Sequence, residues 1–155
     1  MGHRFQRLSE DQYRVNLSED ERVFLSDITA MLNSVDHTNT QDPASTRMRL
    51  PVYLDDFEST EEWWRLMGDQ LETARERDRS VFDRVMSAPP GGVVLETDEA
   101  ESLLRVVNEG RLVLASRLGV QIASDFDDLD PDARMALDFM NWLLEDLTSE
   151  LSGQF

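Results

Sequence analysis

The chain has 155 residues and a mass of 17.8 kDa, the size of one domain. Its 32 acidic residues stand against 15 basic ones, a net charge of −17 at pH 7, and every basic residue is arginine. The absence of lysine removes Walker-type phosphate loops, Schiff-base catalysis and kinase-type lysines; the absence of cysteine removes disulfides, thiolate zinc sites, iron–sulfur clusters and thiol nucleophiles.

Phe5, Tyr13 and Val15 lie in short segments on either side of the polar run Ser9-Glu10-Asp11, which predicts a small hairpin over 4–17. Ser18 and Glu21 have capping-box spacing, and Phe24, Leu25, Ile28, Met31, Leu32 and Val35 follow at helical spacing, so a first helix is expected near 19–35. His37 to Thr46 reads as a polar loop, and Arg47 to Phe57 as an ordered but irregular segment. A second helix is expected from Ser59, capped with Glu62, to about Ser87, where Pro89-Pro90-Gly91-Gly92 breaks it. Val93-Val94-Leu95 suits a short strand that could pair with the hairpin.

Thr97 or Asp98 would cap a third long helix near 98–118, with Gly119 as its C′ residue. Ala100, Leu103, Leu104, Val107, Leu114 and Leu118 form one apolar arc, which Val106 and Val113 widen, while Leu112 points the other way. This pattern predicts a central helix. Ser124 to Asp130 reads as an acidic loop, and Asp130-Pro131 opens a fourth helix over 131–151 with a seam of Ala133, Leu137, Met140, Leu144, Leu147 and Leu151. The expected fold is mainly α, a single domain over 1–155 built as a bundle of about four long helices with a small N-terminal β element.

On either side of Val93 the chain carries 11 arginines against 18 acids and 4 against 14, so neither half offers a basic footprint and direct nucleic-acid binding is not expected. No apolar run has the length of a membrane helix or a signal peptide, which makes the cytoplasm the expected location. The two histidines, His3 and His37, give a Ser-His-Asp triad little to build on, and the helices hold no His-Glu-x-x-His pair. Asp125 to Asp130 lacks the EF-hand alternation and has Ala136 where position twelve needs Glu, so it reads as a solvated loop. No catalytic residue, cofactor or metal is implied.

Asn108-Glu109-Gly110-Arg111-Leu112-Val113-Leu114-Ala115-Ser116-Arg117-Leu118-Gly119-Val120 resembles the Asn-Asp-x-Arg-Leu-x-Leu-x-x-Arg-Leu-Gly-Ile stretch of an actinobacterial family of domains of unknown function that includes the oxidative stress regulator AosR. Glu62-Trp63-Trp64-Arg65-Leu66, Arg49-Leu50-Pro51 with Tyr53 and Asp55-Asp56, and Phe139-Met140-Asn141-Trp142-Leu143 resemble further segments of that family in the same order. The resemblance implies a regulator acting through a sigma factor or RNA polymerase, often encoded beside a Clp protease adaptor, with those proteins as candidate partners. It also implies a cysteine-pair switch, which a chain without cysteine cannot operate.

Two sets of residues stand out. Arg111 projects into the apolar arc of the third helix, and Asp78 sits among Ala74, Val81, Phe82 and Val85 on the second. A buried ion pair is expected between them, with Glu62 or Asp55 as the next candidates for the acid and an active-site arginine as the alternative. Met135, Phe139 and Trp142 recur at i, i+4 and i+7 away from the seam of the fourth helix. They suit a protein partner or a homodimer, unless the hairpin, the Arg47–Phe57 segment or Phe155 covers them. The leading function is a non-enzymatic interaction module; an enzyme or small-molecule binder with a polar pocket and a structural homodimer are the alternatives.

Overall fold

The computed structural model describes residues 4–35, 41–48, 56–89, 92–120 and 122–152. Strands β1 (Phe5–Arg7) and β2 (Gln12–Val15) form the expected hairpin, with Phe5 opposite Val15 and Arg7 opposite Tyr13. Alternation sends Phe5, Tyr13 and Val15 to the core and Gln6 and Arg14 to solvent. Strand β3 (Val93–Glu96) adds to the other edge of β2, giving an antiparallel sheet in the order β1-β2-β3.

Helix α1 (Glu19–Asn33) starts at the capping box: the Ser18 hydroxyl accepts from the Glu21 N–H, and the Glu21 carboxylate accepts from the Ser18 N–H. Helix α2 (Pro43–Met48) takes the end of the stretch expected to be a polar loop and the first two residues of the segment expected to be irregular. Its first turn is stabilised by Asp42, whose Oδ1 accepts from the Ala44 N–H at 3.0 Å, with Pro43 at the first helical position. Ala44 is fully buried, since α2 packs on the central helix. Residues 36–40 and 49–55, with His37 and Asp55, lie outside the described residues, as do His3 and Phe155.

Helix α3 (Phe57–Met86) begins two residues before Ser59. Asp56 caps it, its carboxylate accepting from the Ser59 N–H at 3.0 Å and the Ser59 hydroxyl at 2.7 Å. A carboxylate there also meets the positive end of the helix dipole, which a hydroxyl cap does not. Strand β3 then runs without a loop into α4 (Thr97–Arg117), so Thr97 lies within the helix and the Glu99 carboxylate accepts the Glu96 N–H at 3.0 Å. Gly119 (φ +79°) ends α4 as expected: its N–H donates to the Ser116 carbonyl, and the Val120 N–H to the Ala115 carbonyl. A short helix, α5 (Ala123–Asp127), occupies part of the expected acidic loop, and α6 (Pro131–Leu151) follows, capped by Asp130 through the Asp132 and Ala133 N–H groups.

Helix α4 is the centre of the arrangement, packing against α1, α2, α3, α6 and strands β2 and β3. Ala100, Leu103, Val106, Val107 and Val113 are buried on it, together with Ser102 and Gly110. On α6 the buried seam is Leu137, Met140, Leu143 and Leu147, with Leu144 only partly covered. The seam is thus rotated from the expected one, because α6 must also meet the sheet: Asp146 Oδ2 accepts from the Arg4 and Phe5 N–H groups and Glu150 from that of Arg7. These carboxylates satisfy donors on the free edge of β1, which would otherwise invite strand pairing.

Gly110 marks the tightest approach. A Cβ there would stand 2.7 Å from Ile28 Cγ2 of α1 and 3.2 Å from Met140 Cε of α6. Gly110→Ala should therefore lower stability by about 1–3 kcal/mol despite the better helix propensity of alanine. Val107→Asp, placing a carboxylate in the core, should unfold the protein, whereas Leu114→Asp at a half-covered position should be milder. Urea denaturation followed by circular dichroism measures all three, and an unchanged midpoint for Gly110→Ala would contradict the packing described.

Candidate functional site

The structure buries Asp78 as expected but gives it a different arginine. Asp78, 6% exposed on α3, accepts from Arg105 Nε at 2.8 Å and Nη2 at 2.9 Å, and from the Ser102 hydroxyl at 2.8 Å. Arg111 lies six residues further along α4, about 9 Å up the axis and about 120° around it, which turns it from α3 towards α6. Its partners are Asn108 Oδ1 at 2.7 Å and Asn141 Oδ1 at 3.4 Å, and no carboxylate among the described residues pairs with it. The expected Arg111–Asp78 pair is therefore replaced by Arg105–Asp78. Ser102 supplies the signal that sequence reading missed, since it sits one turn before Arg105 on the same face and completes the carboxylate's hydrogen bonding.

Burial pushes the Asp78 carboxyl up, but the hydrogen bonds from Arg105 and Ser102 and the charge of Arg105 outweigh it and hold the group below the ordinary aspartate range. Glu109 goes the other way: burial raises its carboxyl even though Arg75 lies 3.4 Å away and Arg79 is near. Glu62 pairs with Arg65 one turn along the exposed part of α3, with Arg65 Nε at 3.0 Å, and not with Arg111. Arg117 pairs with Asp42 at 2.9 Å and donates to the Ser34 hydroxyl at 2.9 Å, joining the end of α4 to α2 and α1. Of the residues carrying the family resemblance, Arg117 and Gly119 thus shape the end of α4, Glu62 and Arg65 form a surface pair, and Asn108 and Arg111 line a groove.

That groove, of about 850 Å³, runs between α4 and α6 and is lined by Leu104, Arg105, Asn108, Arg111, Asn141, Leu144, Glu145, Thr148 and Ser149. A second concavity, of about 450 Å³, lies between the first turns of α1 and α6. Phe24, Met135, Ala136 and Phe139 form its walls, and Asp20, Glu21 and Asp132 its rim. It contains two members of the expected partner stripe. Met135 is 69% exposed; Phe139 is half-buried beneath Phe24, ring centroids 5.5 Å apart and edge to face. Trp142 stacks on Phe139 at 6.2 Å and lies under the Arg4 guanidinium, 5.6 Å from its ring centre. The stripe is therefore covered at Trp142 by Arg4, just before the hairpin, and open at Met135. Phe24 and its exposed neighbour Val23 extend the open part onto α1.

Among the described residues, no group of three or more His, Cys, Asp or Glu side chains is placed to hold a metal ion, and no helix is long and apolar enough to cross a membrane.

The Asp78 network makes a pH-dependent expectation. A carboxyl held below its unfolded pKa contributes stability above the unfolded value and loses it as pH falls through the folded value. In Arg105→Met the burial of Asp78 is opposed only by the Ser102 hydrogen bond and the more distant charge of Arg77, so its pKa rises. The variant should be less stable by about 1–3 kcal/mol near neutral pH, a range reduced from that of a fully buried pair because Arg105 is half-exposed. The difference should narrow as the pH falls into the ordinary carboxylate range, about pH 3.5, since the wild type then loses the contribution of its lowered carboxyl. Urea titrations at the two pH values check this, and an equal difference at both would refute it.

No curated protein and no solved structure matches the chain. Residues 2–151, nearly its whole length, match the family described as Domain of unknown function (DUF2017), and the chain belongs to that family.

Proposed function

We propose that this protein is a non-enzymatic regulatory interaction module of the cytoplasm that docks a basic amphipathic helix of a protein partner in the trough between α1 and α6. The observation that carries the reading is the juxtaposition of exposed apolar side chains and carboxylates. Met135 and Phe24 are exposed in the trough, and Asp20, Glu21 and Asp132 line it beside them on a chain of net charge −17. Apolar anchors at helical spacing suit a helix in a groove, and the acidic surround selects a basic one and speeds its encounter. The resemblance to actinobacterial stress regulators makes a sigma factor, RNA polymerase or a Clp component the candidate partner. Any signal that reaches this chain works without a thiol–disulfide exchange, since the chain has no cysteine.

Binding of purified stress-class sigma factors, core RNA polymerase and a Clp adaptor to the intact protein should identify one partner whose affinity falls as salt is raised. Met135→Glu, at an exposed position, should leave the circular-dichroism spectrum unchanged and weaken that binding by about tenfold or more. No binding to any of the three, or equal binding by the variant, would overturn the reading. Concentration-dependent dimerisation that Met135→Glu abolishes would replace it with a homodimer. The variant is a cleaner probe than changes at Phe139 or Trp142, because both of those rings also pack against the core.

A further inference from the structure

The groove between α4 and α6 holds an arginine whose partners are two side-chain amides. Arg4, Arg75, Arg79 and Arg117 each meet a carboxylate, as expected when acids outnumber arginines twofold. Arg111 meets two amides instead. A guanidinium has only donors, so Asn108 and Asn141 must turn their Oδ1 atoms to it, and their Nδ2 groups remain as donors without a partner among the described residues. Arg111 Nε is buried and likewise has no partner there. The guanidinium is therefore held in place by its surroundings, with one N–H of each terminal nitrogen uncommitted.

The free terminal N–H groups of Arg111 and the Nδ2 groups of Asn108 and Asn141 are thus donors with capacity for an acceptor, and a guanidinium's terminal N–H groups can match the two oxygens of a carboxylate. Leu104 and Leu144 add apolar wall beside them. Glu145 is the one carboxylate that lines the groove and does not pair with Arg111. Its charge, on a strongly acidic chain, disfavours a dianion such as phosphate and tolerates a monoanion that Arg111 neutralises. We propose that the α4/α6 groove is a binding site for a small organic carboxylate, with Arg111 pairing the carboxylate, Asn108 and Asn141 donating to it, and Leu104 and Leu144 packing against its apolar body. The site shares no lining residue with the α1/α6 trough, so either assignment can fail without the other.

The test is a nitrogen-15 NMR titration of the intact protein with phenylacetate, its neutral analogue phenylacetamide, and inorganic phosphate, at constant ionic strength. Phenylacetate should shift the side-chain amide signals of Asn108 and Asn141 and the Nε signal of Arg111 in a saturable way. Phenylacetamide should bind about tenfold more weakly, as should Arg111→Met, each having lost a charge-assisted pair. Asn141→Asp, at an exposed position, places a carboxylate beside Arg111 and should abolish the response; it serves even if Arg111→Met fails to fold. Shifts that do not saturate, equal binding of the amide, preference for phosphate, or undiminished binding by Asn141→Asp would each overturn the proposal.

Discussion

The closeness with which α1 and α6 approach α4 sets the rest of the structure. A helix contacted by other elements around most of its circumference needs apolar residues in more than one arc and, where two neighbours converge, almost no side chain at all. Gly110 provides that point, with Ile28 and Met140 arriving from opposite partners. Because α4 follows β3 without a loop, its direction is tied to the sheet, and the sheet is tied to α6 through Asp146 and Glu150. Helix α6 therefore meets both the central helix and the hairpin, which turns its buried seam onto Leu143 and leaves Leu144 lining the α4/α6 groove.

The same geometry sorts the arginines. Residues Arg105 and Arg111 share α4, yet the rotation of the helix sends one to a buried aspartate on α3 and the other to asparagines beside α6. A buried carboxylate without its cation is costly, so Asp78 depends on Arg105, which reaches it from the half-exposed wall of the groove. Asparagine oxygens hold a guanidinium without a countercharge, so Arg111 lines the groove with no carboxylate partner among the described residues. The two concavities on α6 consequently differ in kind: one offers the donors of Arg111 beside a single carboxylate, Glu145, the other apolar walls with an acidic rim. A chain this acidic creates acidic rims almost everywhere; the donors of the first need a specific alignment of helices.

The sequence by itself determined the three strands and the four long helices with most of their limits, because they rest on local physics, but not the short helices α2 and α5. The capping box at Ser18, the Asp130-Pro131 start and the Gly119 stop each act within one turn and came out as expected. So did the hairpin and its pairing with β3, the apolar arcs that placed α4 at the centre, and the burial of a lone aspartate among apolar neighbours. The tertiary structure alone decided the partners. Spacing shows that Arg111 and Asp78 face inwards, but the choice of Arg105 depends on the crossing of α3 and α4 and on Ser102 beside it. Whether a stripe is covered depends on what comes across from other elements: Arg4 reaches Trp142 and Phe24 reaches Phe139, while nothing described reduces the wide exposure of Met135. The short α2 belongs to the same class, since six residues gain a helix's stability only from a surface to pack against, and α4 supplies it.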